Sequence, residues 1–162
     1  MSQYPACNAL YLCRHHSAVS HEEPKMKSYD VQSIHISANR DHVHAFVSKP
    51  ENLPKWTNAF AQADSNQAEM RTPSGSILVT LRTESHPEAG TVDWHMGMPD
   101  GSVGHAYSRV TGDDKNASIF SFVLMAPPVP LEQLEGALAE QMKTLASELK
   151  NLKGIIESSD RR

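Results

Sequence analysis

No apolar run in this chain of 162 residues approaches the ~20 residues that a helix needs to span a bilayer. A transmembrane helix is excluded on that ground, and no membrane insertion is expected. Positive charge is not in excess either. Lys and Arg total 15 against 19 Asp and Glu, and no basic cluster stands out. Phosphate backbones require a concentrated cationic patch, so no nucleic-acid partner is expected. Residues Met1 to Leu12 lack a basic n-region and a sustained apolar core, so no signal peptide and a cytoplasmic location are expected.

Cysteine is nearly absent. Cys7 and Cys13 fall close to His15 and His16, and a small metal knuckle or a redox pair is the chemistry such residues could supply. The spacing C-x5-C-x-H-H matches no standard zinc arrangement. Residues 1–28 show neither helical nor strand periodicity, and a disordered N-terminal extension is the expectation there. Elsewhere no His, Cys or carboxylate set has metal-ligand spacing; His42 and His44, two apart on a helix, point to different sides. The chain also lacks G-x-S-x-G, a Walker loop and G-x-G-x-x-G. No metal and no cofactor are expected.

What is present reads as one domain over residues 29–158 with a short tail at 159–162. Val31 to Ser37 alternates polar and apolar as a first strand does. Asn39 follows as a helix N-cap, with Val43, Phe46 and Val47 on one face. Lys49-Pro50 ends that helix, and Glu51 to Phe60 reads as a second short helix or turn. Turn arithmetic then builds a sheet. With Asp100-Gly101 as a central pair, Met96 faces His105, Trp94 faces Tyr107 and Val92 faces Arg109. A loop at Gly112 to Lys115 sets Tyr107 against Phe120, and earlier turns pair Leu81 with Trp94 and Met70 with Val79. These pairings gather Met70, Ile77, Val79, Leu81, Val92, Trp94, Met96, Met98, Val103, Tyr107, Phe120, Phe122 and Leu124 on one face. They leave Asp93, His95, Gly97, Ala106, Ser108, Ile119 and Ser121 to solvent. Beyond Pro127-Pro128-Val129-Pro130, an apolar stripe at spacings of three and four runs from Leu131 through Leu138, Met142 and Leu149 to Ile156. It marks one long amphipathic helix.

The segment Ile36-Ser37-Ala38-Asn39-Arg40-Asp41-His42-Val43, followed by Phe46-Val47-Ser48-Lys49-Pro50-Glu51-Asn52-Leu53-Pro54-Lys55-Trp56, resembles the entry segment of the START-like SRPBCC superfamily. The closing stretch Leu145 to Glu157 is similar to that family's last helix. The resemblance implies an α+β helix-grip fold: a curved antiparallel sheet wrapped around a long C-terminal helix, with two short helices after the first strand. Proteins of this kind include polyketide cyclases and dehydratases, quinone-binding proteins, lipid carriers, hormone receptors and chaperone activators. The family has no shared catalytic motif, so the resemblance assigns no catalytic residue.

The expected function is binding or carriage of a small hydrophobic or amphipathic molecule in a cavity between sheet and helix. Its lining would be Met70, Val79, Leu81, Trp94, Met96, His105, Tyr107, Arg109, Phe120, Phe122, Leu138 and Met142. The methionines among these suit a pocket tolerant of several ligands, though they equally suit an ordinary core. An alternative is a cyclase-, dehydratase- or isomerase-like enzyme in which His105 is the base and Tyr107 and Arg109 stabilise an oxyanion. Each of the three also has a plainer reading: a satisfied core histidine, a core tyrosine, and an arginine reaching out at a strand end. A further alternative is a protein-interaction module of the chaperone-activator kind.

Overall fold

The computed structural model describes residues 28–72, 74–126 and 131–159, with side chains in the last segment from residue 136 onward. Cys7, Cys13, His15, His16 and the Pro127–Pro130 stretch lie outside the described residues. Strand β1 (Tyr29–Ile36) leads into helix α1 (Arg40–Val47). A 3-10 turn (Pro50–Asn52) then runs into the short helix α2 (Leu53–Trp56). Six strands follow: β2 (Phe60–Ala63), β3 (Gln67–Thr72), β4 (Gly75–His86), β5 (Thr91–Gly97), β6 (Val103–Asp114) and β7 (Ala117–Met125). Helix α3 (Leu131–Ser159) closes the chain. The strands form one antiparallel sheet in the order β1-β7-β6-β5-β4-β3-β2, so the first strand returns to pair with the last. It is a helix-grip fold, as the resemblance implied.

Local chemistry sets the joints. The Asn39 side chain accepts from the Asp41 N–H at 2.8 Å, capping α1. The Asn52 amide donates to Phe46 O at 2.8 Å, which folds the 3-10 turn back on α1. Arg40 donates to the carbonyls of Glu88 and Pro87, tying α1 to the β4–β5 loop. Gly90 in that loop has φ +75°, and a Cβ there would collide with Val110 O, so only glycine fits without strain. Glu148 of α3 is buried and accepts from the Thr57 hydroxyl at 2.9 Å and from the Asn58 N–H. The Asn151 amide of α3 donates to the carbonyls of Lys55 and Trp56. These bonds lock the α2–β2 connection onto the long helix.

The register departs from the expected one in an instructive way. The β5–β6 hairpin closes with Met98 N–H on Ser102 O, and its loop is Pro99-Asp100-Gly101, with Gly101 at φ +88°. That is a three-residue loop ending in a left-handed glycine, one residue longer than a tight two-residue turn. His95 consequently faces His105, Trp94 faces Ala106, and Asp93 faces Tyr107. A one-residue slip reverses every side chain of the slipped strand. Strand β6 therefore turns Ala106, Ser108 and Val110 inward, where all three are buried. His105, Tyr107 and Arg109 go to the outer face. Val103 is likewise outside and 51% exposed.

The β6–β7 pairing carries a bulge between Gly112 and Asp114 and sets Val110 against Phe120 and Ser108 against Phe122. It too differs from expectation by an odd number of residues. The two errors cancel, which is why β7 faces inward as expected while β6 alone is reversed. The β3–β4 and β4–β5 pairings differ by two residues, Met70 facing Ile77 and Leu81 facing Met96. An even slip preserves the face, so Met70, Val79, Leu81, Trp94 and Met96 stay inside. Turn arithmetic did not place strand β2: it is four residues long, at the sheet edge, and irregular after Phe60, too short for a periodicity signal.

The core lies between the sheet and α3. Leu145, Leu149, Leu152 and Ile156 of the helix stripe are buried against Ile36, Val43, Val47, Trp56, Phe120 and Phe122. Polar contacts set the path of α3. Gln32 Nε2 donates to Met142 O at 2.9 Å, and Lys153 Nζ donates to His35 O at 2.8 Å. The helix thus runs along β1, its later turns toward α1 and its earlier turns toward the β1 start.

Candidate functional site

The inner face of the sheet is ordered in rows that follow from the register. One row runs Gln32, Phe122, Ser108, Val92, Ser85. The next runs Asp30, Leu124, Ala106, Trp94, Thr83, and the one beyond it includes Gly104, Met96 and Leu81. Small residues on β6 make the floor of this face low where larger side chains were expected.

Four aromatic rings fill the middle. Trp94 stacks on Phe122 with centroids 5.8 Å apart. Trp56 stands edge-on to both Phe120 and Phe122 at 6.3 Å. Such packing is favourable beyond its buried area, and it leaves the centre of the grip occupied by protein. Toward the β3–β5 end the interior is looser. Met70, Ile77, Met96, Met98 and Leu124 are only partly buried around the core. The methyls of Met96 and Met98 lean over Gly104, 3.4 and 3.2 Å from where its Cβ would be. The earlier turns of α3 pass beside β1, at the other edge of the sheet, where Gln32 Nε2 donates to Met142 O. Leu138, one turn before it, is buried but stands apart from the packed cluster.

This end also holds polar atoms without partners. Trp94 Nε1 and Thr83 Oγ1 are cross-strand neighbours on the inner face, and neither has a hydrogen-bond partner among the described residues. Trp56 Nε1 and Gln141 Oε1 are buried in the same condition. A buried donor left unpaired costs about 1–3 kcal/mol, and such groups are uncommon in native folds. Asp30, also inside and buried, accepts from Gln32 Nε2 at 2.8 Å.

Of the twelve residues expected to line a pocket, Val79, Leu81, Trp94, Phe120 and Phe122 lie in the inner core, and Met70 and Met96 at its looser margin. Leu138 and Met142 are on α3. His105, Tyr107 and Arg109 are not with them. All three lie on the opposite face, so no base–oxyanion set formed by them faces the interior. Ala106 and Ser108, assigned to solvent from the sequence, are interior; Ser108 Oγ donates to Val92 O at 2.7 Å. The residues missed were Trp56, Thr83, Gln32 and Gln141. Thr83 had a legible signal, because it continues the alternation Val79, Leu81.

On the outer face His95 Nδ1 lies 2.9 Å from His105 Nδ1, and the Tyr107 ring stacks on His105 at 6.1 Å. The sequence reading left His95 solvated, yet its side chain is only 19% exposed. Two surface grooves, of about 210 and 460 Å³, lie along the β2–β5 edge around Gln67 and Leu78. Neither is lined by α3, so neither is the space that the grip encloses. Among the described residues no three metal-capable side chains converge, and no helix is long and apolar enough to cross a membrane.

No family model matches the chain, and no curated protein matches it. Solved structures do match. A START superfamily protein from Mycobacterium smegmatis superposes with a TM-score of 0.63 at 14% identity, over 82% of this chain and 99% of the other. The di-domain ARO/CYC BexL from the BE-7585A biosynthetic pathway gives 0.60 at 17%, covering 81% of this chain and 47% of that one. The Zhui aromatase/cyclase from Streptomyces sp. R1128 gives 0.55 at 10%, over 80% and 93%. At these identities the likeness is one of fold: the chain has the START-like, helix-grip fold.

Proposed function

We propose that this chain binds a small apolar molecule carrying one hydrogen-bond acceptor, such as a carbonyl, at the looser end of the grip. In this reading it is a binding or carrier protein. The observation that carries the reading is the pairing of Trp94 Nε1 and Thr83 Oγ1, buried and without a partner among the described residues, with a margin of partly buried Met70, Ile77, Met96 and Leu124. A ligand acceptor would satisfy the indole N–H while its apolar body covers the methionines. Flexible thioethers adapt to irregular shapes, so selectivity would rest on the polar contact more than on outline.

Trp56 and Trp94 are the chain's two tryptophans, so intrinsic fluorescence reports directly on this site. The first experiment is native mass spectrometry of freshly purified protein with organic extraction. Fluorescence titration with a panel of quinones, fatty acids and aromatic polyketides follows. An extracted apolar compound that quenches tryptophan emission is the expected result. Trp94→Phe should then weaken that compound about 5- to 10-fold, the worth of roughly one hydrogen bond. A clean apo mass with no response across the panel would remove the proposal. It would turn attention to a protein-interaction role on the outer face.

A further inference from the structure

We propose a second site, on the opposite face of the sheet: His95 and His105 form a binding site for a borderline divalent metal ion of the zinc class. Strands β5 and β6 hold the two histidines directly opposite each other. Their Nδ1 atoms are 2.9 Å apart, with rings at 80°. Tyr107, two residues along β6, stacks on the His105 ring within 7° of parallel and stands edge-on to His95. The orientation of both rings is thereby set by protein and not by solvent.

The second observation is the state of the other His95 nitrogen. Nε2 is buried and has no hydrogen-bond partner among the described residues, but Glu84 Oε2 lies 3.9 Å away. Glu84 is itself held by an ion pair with Arg82. A carboxylate at that nitrogen favours the tautomer with hydrogen on Nε2, which leaves the Nδ1 lone pair free. Metal-bound histidines commonly donate the other ring N–H to a carboxylate, and Glu84 would have to close by about 1 Å to accept from Nε2. With hydrogen on Nε2 of His95, the shared hydrogen of the 2.9 Å contact sits on His105 Nδ1 and is donated to His95. On metal binding that proton leaves, His105 takes one at Nε2 from water, and two lone pairs converge on one point.

Two imidazole nitrogens on a tetrahedral ion at ~2.0–2.1 Å are about 3.3 Å apart. The nitrogens must therefore separate by a few tenths of an ångström, and each ring must swing so that its lone pair leaves the line between the nitrogens and points at the ion. Among the described residues no third His, Cys, Asp or Glu joins them, so water would fill the remaining positions. Imidazole donors favour zinc, copper and nickel over magnesium or calcium.

The test is a zinc chloride titration of the full chain, followed by NMR of the imidazole Cε1–H resonances. His95→Gln and His105→Gln assign the two signals. Reading those two rings alone keeps Cys7 and Cys13 from confounding the result. The expected outcome is that both resonances shift together and saturate with one ion. His105→Gln should abolish the His95 response, and Glu84→Gln should weaken binding about 10-fold. Tyr107→Leu, which removes the stacked ring but no ligand, should weaken binding less than His105→Gln does. Resonances that stay unmoved at millimolar zinc would overturn the site. So would a His105→Gln variant whose His95 signal responds with unchanged affinity.

Discussion

Glu148→Ala is the perturbation whose magnitude follows most directly from the structure. Glu148 is 8% exposed, and its carboxylate receives two hydrogen bonds, from the Thr57 hydroxyl and the Asn58 N–H. Bonds to a charged acceptor contribute about 1.5–3 kcal/mol each. Alanine removes both and leaves a backbone N–H without its partner. Thr57 Oγ1 still accepts from the Ala59 N–H at 3.0 Å, and partial access of water recovers some of the loss. The lower part of the range applies, about 3 kcal/mol, or a fall in Tm of about 9–15 °C for a domain of this size.

The assay is thermal unfolding followed by circular dichroism, with Glu148→Gln as the control. Glutamine keeps an acceptor oxygen at the same place, so it should lose only about 1 kcal/mol. Because Asn151 holds the carbonyls of Lys55 and Trp56 one turn further on, loosening this latch should also wet Trp56 and shift tryptophan emission to the red before global unfolding. Equal losses for alanine and glutamine would refute the hydrogen-bond argument. So would a loss below 1 kcal/mol for alanine.

Three further outcomes are expected. Gly90→Ala combines φ +75° with a clash against Val110 O and should lose about 2–4 kcal/mol in chemical denaturation; an unchanged urea midpoint would contradict it. In a Cys7→Ser/Cys13→Ser background, a cysteine replacing Tyr107 should react with a thiol reagent at least about 10-fold faster than one replacing Ser108, which is 5% exposed against 36%. The opposite order would restore the reversed register of β6. The Ser37 N–H, and less strongly Lys153, hold the Glu157 carboxyl below its ordinary value of 4.5. The stability from a lowered carboxyl is complete above the unfolded pKa and is lost as pH falls through the folded one. The difference between wild type and Glu157→Gln should thus be widest near neutrality and should shrink below about pH 4.5. A constant difference down to pH 3 would sink this account.

Much of the architecture was legible because it rests on long periodic signals. The α3 stripe from Leu131 to Ile156, the Asn39 cap and the stop at Lys49-Pro50 each follow from local stereochemistry that tertiary contacts had no reason to override. The short helix or turn expected within Glu51 to Phe60 is found as the 3-10 turn and α2, and the inward set of Trp94, Phe120 and Phe122 is likewise found. Strand β2 was invisible because four residues with an irregularity carry no alternation to detect. Trp56 was visible as part of a motif but not as a wall of the interior, since its partners Phe120 and Phe122 are more than sixty positions away.

The placement of β6 is where one local fact changed the reading of the site. The stretch Pro99-Asp100-Gly101-Ser102 fits a two-residue turn with Asp100-Gly101 at its centre, and equally a three-residue loop in which Gly101 takes the left-handed position after a type I turn. The first choice puts Tyr107 against Trp94 and makes an aromatic, cationic pocket inside. The second puts Ala106 there. Burial favours the second once the whole face is considered. The stretch of interior beside β6 already holds Trp56, Trp94, Phe120 and Phe122, and small side chains from the neighbouring strand pack against these rings where a tyrosine and an arginine would displace them. Desolvating Arg109 inside would cost several kcal/mol without a paired anion, whereas Ala106, Ser108 and Val110 fit with their polar atoms satisfied. The polar residues of β6 are therefore better read as a property of the outer face. There they meet His95 and Glu84, while on the inner face Trp94 Nε1 and Thr83 Oγ1 have no partner among the described residues.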